Sequence, residues 1–279
     1  MKAYPTLQKD CYKEYHYRAY HPDVSEVYSN FTSRSGKHAN TKLGGVAFVG
    51  LQYFIKDHLI REWEEGFFAL PKEDAVKNHK RIMSSILGYE VDVTYLEELH
   101  DLGYLPLEIK ALEEGTLVPY QVPPITIRST HNDFAWLPNA IETVLSTENW
   151  PIQTSATTSL AYYQNFKEAF EATGAPMELL PFMCHDFSFR GMFGRNAAAM
   201  SGFGHLASGF AGTDTIPAVL FAEDFYGADC EKELVGASVC ATEHSVTCSS
   251  ICIYEKELEE KGECNGELRE DIFRKMGID

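Results

Sequence analysis

Apolar and polar positions along the chain change period several times, and the elements they predict change with them. The stretch 5–20 carries many tyrosines and charges and reads as a helix or helical turn. In "VSEVYSNFTSR" (24–34), Val27 and Phe31 stand among β-branched and aromatic neighbours, which predicts a strand. "GGVAFVGLQYFIKDHL" (44–59) reads as a buried strand that bends at Gly50 into a helix. "PKEDAVKNHKRIMSSILG" (71–88) opens on a proline, has acids in its first turn and closes on glycine, all helix signals. Between 105 and 128 prolines interrupt β-forming residues, predicting two or three short strands, some at a sheet edge. Two helices follow, "LPNAIETVLSTENWP" (137–151) and "TSATTSLAYYQNFKEAFEATG" (154–174), the second capped by Thr154 or Ser155 and stopped at Gly174.

After residue 176 the rhythm becomes strand, loop, helix, strand. "MELLPFMCHDF" (177–187) and "VGASVCATEHS" (235–245) read as strands, and "NAAAMSGFGHLASGF" (196–210) as a helix of small residues. "AGTDTIPAVLFAEDFYG" (211–227) reads as a turn and then a helix. This alternation predicts βα units around a parallel sheet or barrel. Accordingly residues 1–150 are assigned to a mixed sheet and helical domain, and 151–279 to the first part of an α/β barrel. In such folds chemistry gathers at the carboxyl ends of strands, so the loops after Cys184, Ala211 and Cys240 draw attention.

Composition narrows the classes. The 279 residues are 44% hydrophobic and 23% charged, ordinary for a globular protein. A formal charge of -17 argues against nucleic-acid or anionic-membrane partners, which need a basic footprint. No apolar run approaches the roughly 18 residues of a membrane span. "MKAYPTLQKD" lacks the apolar core of a signal peptide. Seven cysteines without a C-x-x-C pair suggest neither a disulfide framework nor a zinc knuckle, so a reduced, cytoplasmic protein is expected. Cys248 and Cys252 share a helical spacing too weak to define a site. The ten histidines are dispersed and predict no metal ligand set.

"GFGHLA" (202–207) fits the G-x-G-x-x-G/A dinucleotide pattern, with Asp224 some twenty residues on. Its glycines follow an alanine run rather than a strand, which favours close helix packing over phosphate binding. No P-loop, H-E-x-x-H or G-x-S-x-G motif occurs. The strand-end loops "HDFSFRG", "GTDT" and "SVCATEHS" together offer a ring (Phe187), a forked donor (Arg190), a carboxylate (Asp214) and a hydroxyl (Ser238). They also offer an imidazole beside an acid (His244, Glu243). That set suits a flat heteroaromatic ligand carrying a carboxamide. Two plainer assignments stay open from spacing alone: Asp214 as a helix cap and Phe187 as core.

At these residues the sequence resembles the nicotinamide phosphoribosyltransferases. The resemblance runs from "DCYKEYHYRAYHP" (10–22) and "VSEVYSNFTSR" through "FVGLQYF" (48–54) and is densest in "HDFSFRG", "GTDT" and "ATEHS". It implies a type II phosphoribosyltransferase fold, an irregular α/β barrel (here incomplete) joined to a mixed sheet, working as a homodimer with a shared active site. By this resemblance Phe187 stacks on nicotinamide, and Tyr12 covers the other face of the ring from the second subunit. Arg190 contacts the amide oxygen and a phosphate, Asp214 accepts from the amide nitrogen, Ser238 and Val239 line the pocket, and Arg34 stands near the phosphates. His244 matches the histidine phosphorylated during accompanying ATP hydrolysis, and Mg²⁺ is implied on the pyrophosphate.

Chemistry favours the amide over the acid. A nicotinate carboxylate beside Asp214 would set like charges together, whereas an amide gains a charge-assisted hydrogen bond. The family's chains continue past this one, through an Arg-Pro-Asp-Ser-Gly motif and a glycine-rich phosphate loop, neither of which occurs in 1–279. Three readings therefore stand side by side: a sequence cut short, one half of an enzyme carried on two chains, or a shortened protein without transferase activity. Beyond nicotinamide transfer, the alternatives are nicotinate transfer and a non-catalytic binding or dimerisation fragment.

Overall fold

The structure, a computed structural model, describes residues 4–262 and 277. Residues 263–276 and 278–279, most of the charged stretch that ends the sequence, lie outside the described residues. The chain divides into two compact units, one ending at Ala237 and one beginning at Ser238.

In the first unit, short 3₁₀ turns (Pro5–Leu7, Cys11–Tyr15) lead into helix α1 (His16–Ala19). Strands β1 (Tyr28–Phe31) and β2 (Gly45–Ala47) follow. Gly50, at φ 110°, then turns the chain into helix α2, which starts at Leu51–Tyr53 and widens into π turns over Phe54–Glu62 and Glu64–Phe68. The bend read at Gly50 thus rests on a left-handed backbone that a side chain would strain. Helix α3 (Lys72–Leu87) starts after Pro71, with Glu73 and Asp74 in its first turn, and ends at Gly88. Helix α4 (Thr94–Leu102), which the sequence pattern does not predict, precedes the expected short strands β3 (Leu107–Ala111), β4 (Leu117–Pro119) and β5 (Ile125–Ser129).

These strands form two antiparallel sheets, ordered β1-β5-β3 and β2-β4. On β5, Ile125, Ile127 and Ser129 alternate inward. The two isoleucines pack with Phe48, Phe54, Val118 and Ile141. A second cluster, centred on Trp63, Phe67, Leu96 and Leu99, joins α2, α3 and α4.

Where two helices are expected over 137–174, there is one. Helix α5 (Leu137–Thr173) runs 37 residues through Pro151 and stops at Gly174. Pro151 brings no N–H to the helix ladder, yet buried side chains on both sides of it (Asn149, Ile152, Gln153) hold the helix against its neighbours. Thr154 and Ser155 do not cap a new start. Their hydroxyls donate to the carbonyls of Trp150 and Ser201, at 2.7 and 2.6 Å. Position 150/151, the boundary read from the sequence, falls inside this helix.

Beyond α5 come a 3₁₀ stretch (Met177–Phe182), strand β6 (His185–Asp186), a 3₁₀ turn (Ser188–Gly191), helix α6 (Arg195–Ala207), strand β7 (Gly212–Thr213) and helix α7 (Ile216–Tyr226). The eleven-residue strand expected over 177–187 is therefore mostly 3₁₀ helix, with Pro181 inside it. The strand expected over 235–245 contracts to Ala237, which bridges Gly212 in parallel. Since β6 and β7 are also parallel, three short segments make one parallel ladder. Mixed α/β architecture is present as expected, but no closed barrel forms among the described residues. In the second unit, helix α8 (His244–Lys261) is capped by Glu243, whose carboxylate accepts from the Val246 amide at 3.1 Å.

The "GFGHLA" glycines lie inside α6 and serve packing. A Cβ on Gly202 would stand 2.6 Å from Ala218 Cβ, and one on Gly204 would stand 2.6 Å from the Ile152 carbonyl oxygen of α5. Backbone meets backbone at Gly204, so a methyl group has no flexible neighbour to displace. Gly204→Ala is expected to destabilise the first unit by about 1–3 kcal/mol, read as a lower urea midpoint with an unchanged slope.

Candidate active site

The parallel ladder sets the geometry of the site. Its register pairs His185 with Gly212 and Asp186 with Thr213. The next positions, Phe187 and Asp214, therefore leave neighbouring strand ends side by side. The Asp214 amide donates to the Asp186 carbonyl at 2.9 Å, extending the pairing by one step.

Side chains alternate across a strand, and here that alternation divides the work. Asp186 points inward and is 9% exposed. Its carboxylate accepts from the Ser188 amide at 2.9 Å and from the Thr213 hydroxyl at 3.4 Å. Burial pushes this carboxyl up, but the polar groups of Thr215 and Ser188 around it, with His205 nearby, more than reverse that and leave it below the usual range. The missing Cβ of Gly202 gives the carboxylate room, since an added one would stand 2.9 Å from Asp186 Oδ2. His205 is buried too, its Nε2 3.0 Å from the Gly212 carbonyl oxygen, and burial pushes its pKa down.

His185 and Phe187 face the other way. Phe187 is 70% exposed and leans on the His185 ring, with centroids 4.5 Å apart. It is not core. His185 Nε2 lies 3.1 Å from Asp214 Oδ1. Asp214 does not cap α7 either: Thr215 occupies the cap position, and no side-chain cap bond is made there. Both plainer assignments left open by spacing thus give way to a shelf carrying an exposed ring beside a carboxylate. Gly212 leaves space for that imidazole, because a Cβ there would stand 3.0 Å from His185 Nδ1.

Arg190 sits on the turn that follows, exposed and without an ion pair among the described residues. Tyr12, 66% exposed, stands on the 3₁₀ turn Cys11–Tyr15 and meets His16 edge-on at 5.2 Å. Arg34 is exposed just past the end of β1. Ser238, Val239 and His244 are exposed and belong to the second unit, His244 as the first residue of α8. What motif reading missed is His185. The motif gives it no role, yet it faces outward beside Phe187 while its neighbour Asp186 is turned inward. Period-two alternation along "HDF" is the signal that separates them.

This arrangement, small parallel strands flanked by helices with side chains presented at the strand ends, is a mixed α/β fold with a phosphoribosyltransferase among its structural neighbours. A crystal structure of human nicotinic acid phosphoribosyltransferase superposes with a TM-score of 0.53 over 87% of this chain and 41% of that one, at 17% identity, a likeness of fold alone. Sequence comparison is more specific. Residues 6–109 match the nicotinamide phosphoribosyltransferase N-terminal domain. A nicotinamide phosphoribosyltransferase of Acinetobacter baylyi is 47% identical over 243 residues, 86% of this chain and 47% of that protein. Proteins of the same name from Xanthomonas campestris and Mycoplasma genitalium are 31% and 30% identical, each over 87% of this chain and about half of their own length. The chain is a relative of the nicotinamide phosphoribosyltransferases and spans about half the length of those it matches.

Because Asp186 holds its proton less tightly folded than unfolded, its contribution is complete above the ordinary aspartate range. It is lost as pH falls through the folded value. Asp186→Asn is expected to lower stability at neutral pH by about 1–3 kcal/mol, the usual cost of leaving buried donors without a charged acceptor. It should also flatten the acid limb of stability against pH, as followed by urea unfolding.

Proposed function

We propose that the chain contributes the nicotinamide-facing half of a nicotinamide phosphoribosyltransferase, a cytoplasmic enzyme of NAD biosynthesis. Such an enzyme forms nicotinamide mononucleotide and pyrophosphate from nicotinamide and phosphoribosyl pyrophosphate. The observation that carries this reading is the exposed Phe187 ring beside the Asp214 carboxylate at adjoining strand ends. The relatives named for this activity support it.

In the reaction the pyridine nitrogen attacks the anomeric carbon. The N–C bond forms as the C–O bond to pyrophosphate breaks, and positive charge gathers on the ribose ring. Positioning and electrostatics then supply most of the rate. Phe187 carries one face of the ring and Asp214 accepts from the amide N–H₂, with His185 fixing the direction of that carboxylate. Arg190 faces the amide oxygen and a phosphate. Tyr12 of a second copy covers the ring in a homodimer with shared sites, and Arg34 lies near the phosphates. The remaining phosphoribosyl-binding residues come from a longer form of this chain or from a separate one.

Among the described residues no group of three or more His, Cys, Asp or Glu side chains could hold a metal ion. Mg²⁺ belongs with the diphosphate as part of the substrate, where it neutralises charge on the leaving group. ATP enters as an activating co-substrate, with the exposed His244 imidazole as phosphoryl acceptor.

Mixing the chain, alone and with the rest of the family's length, with nicotinamide, phosphoribosyl pyrophosphate, ATP and Mg²⁺ should yield mononucleotide in at least the second case. No product in either case removes the proposal. Phe187→Ala is expected to raise KM for nicotinamide about two- to tenfold, matching about 0.5–1.5 kcal/mol of ring stacking. Asp214→Asn should erase most of the preference for nicotinamide over nicotinate, read as a ratio of kcat/KM values.

A further inference from the structure

Two charged residues beside Tyr12 are buried, which is rare unless each has partners. Lys13 and Glu14 are each 5% exposed, while Tyr12 is 66% exposed. The Lys13 ammonium meets three acceptors on α5: the Asn139 carbonyl and side-chain oxygens, both at 2.7 Å, and Glu142 at 2.5 Å. A lysine has three N–H bonds, so its donor capacity is filled. Glu14 is held on the other side, by His79 of α3 at 3.0 Å, by the Tyr95 hydroxyl of α4 at 3.0 Å and by Lys9 at 2.9 Å. Burial pushes the Glu14 carboxyl up, and His79 and Lys9 outweigh it to hold it ionised.

The neighbouring positions are tied down as well. Asp10 accepts from the Thr143 hydroxyl of α5 at 2.6 Å, and His16 Nδ1 lies 2.8 Å from the Asn139 amide nitrogen. Around Tyr12 the turn is thus fixed to α5 on one side and to α3 and α4 on the other, and the phenol is presented to solvent. A large exposed aromatic on a backbone anchored by buried charges is a preorganised contact rather than a loose surface residue.

We infer that Lys13 and Glu14 are positioning residues that aim Tyr12 at the nicotinamide ring, with Lys13 as the principal anchor. This rests on the reading of Tyr12 as the cover for the ring. The affinity that Tyr12 gives then depends on buried Lys13 and Glu14 and the groups that hold them.

A double-mutant cycle tests it: nicotinamide affinity by calorimetry for the full chain, Tyr12→Ala, Lys13→Met and the combined variant. The Lys13→Met change leaves Glu142 solvated, since its side chain is 67% exposed, and the Met stem keeps the aliphatic packing. Lys13→Met is expected to weaken binding about tenfold when Tyr12 is present and less than twofold when it is absent, a coupling of ordinary size for residues acting as a unit. Faster amide exchange confined to 9–16 should accompany it. Unchanged affinity in Lys13→Met, or an equal loss in both backgrounds, overturns the positioning role while leaving Tyr12 in place. Wild-type affinity in Tyr12→Ala overturns the reading of Tyr12 itself and the clamp with it. No binding by the unaltered chain does the same.

Discussion

The buried Asp186 carboxylate is the joint on which the site depends. It sits at the end of β6, receives the turn that carries Arg190 through the Ser188 amide, and receives β7 through the Thr213 hydroxyl. Its ionisation is retained because enough donors surround it to offset its burial. A neutral side chain there would leave the strand ends aligned by only a few backbone hydrogen bonds, since the ladder is two residues long at β6 and β7. One charge, turned away from the exposed Phe187 ring, thus steadies the strand ends that carry Phe187 and Asp214.

Local signals in the sequence were informative wherever backbone geometry is dictated by a single residue. The start of α3 after Pro71, its stop at Gly88 and the turn at Gly50 all follow from what proline and glycine permit. The three strands between 107 and 129 were legible from their β-formers for the same local reason. Failures came where distant packing decides. Nothing local to Pro151 reveals that buried residues on either side keep α5 unbroken. The strands after residue 176 were overlong because a parallel ladder needs partners, and overlap between partners cannot be read from either segment alone.

The site was partly legible for a related reason. Strand-end reasoning brings Phe187 and Asp214 together without any knowledge of register, because both follow short apolar runs. His185 was harder to place, since an acid beside a base looks like a pair until the alternation of a strand separates them. Ser238, Val239 and His244 lie in the second unit, and motif order alone links them to the first three residues.

Helix α5 contributes side chains to every core cluster of the first unit: Leu137 to the first, Ile141, Val144 and Leu145 to the second, Ile152 and Ala156 to the third. The antiparallel sheets and the helices α6 and α7 that flank the parallel ladder therefore share one supporting wall. Cooperativity follows from that shared wall, because loosening the sheet side also loosens the shelf that carries Phe187. A substitution remote from Phe187, anywhere along the buried face of this helix, reaches the shelf through the helix as a change in how often the whole unit is intact.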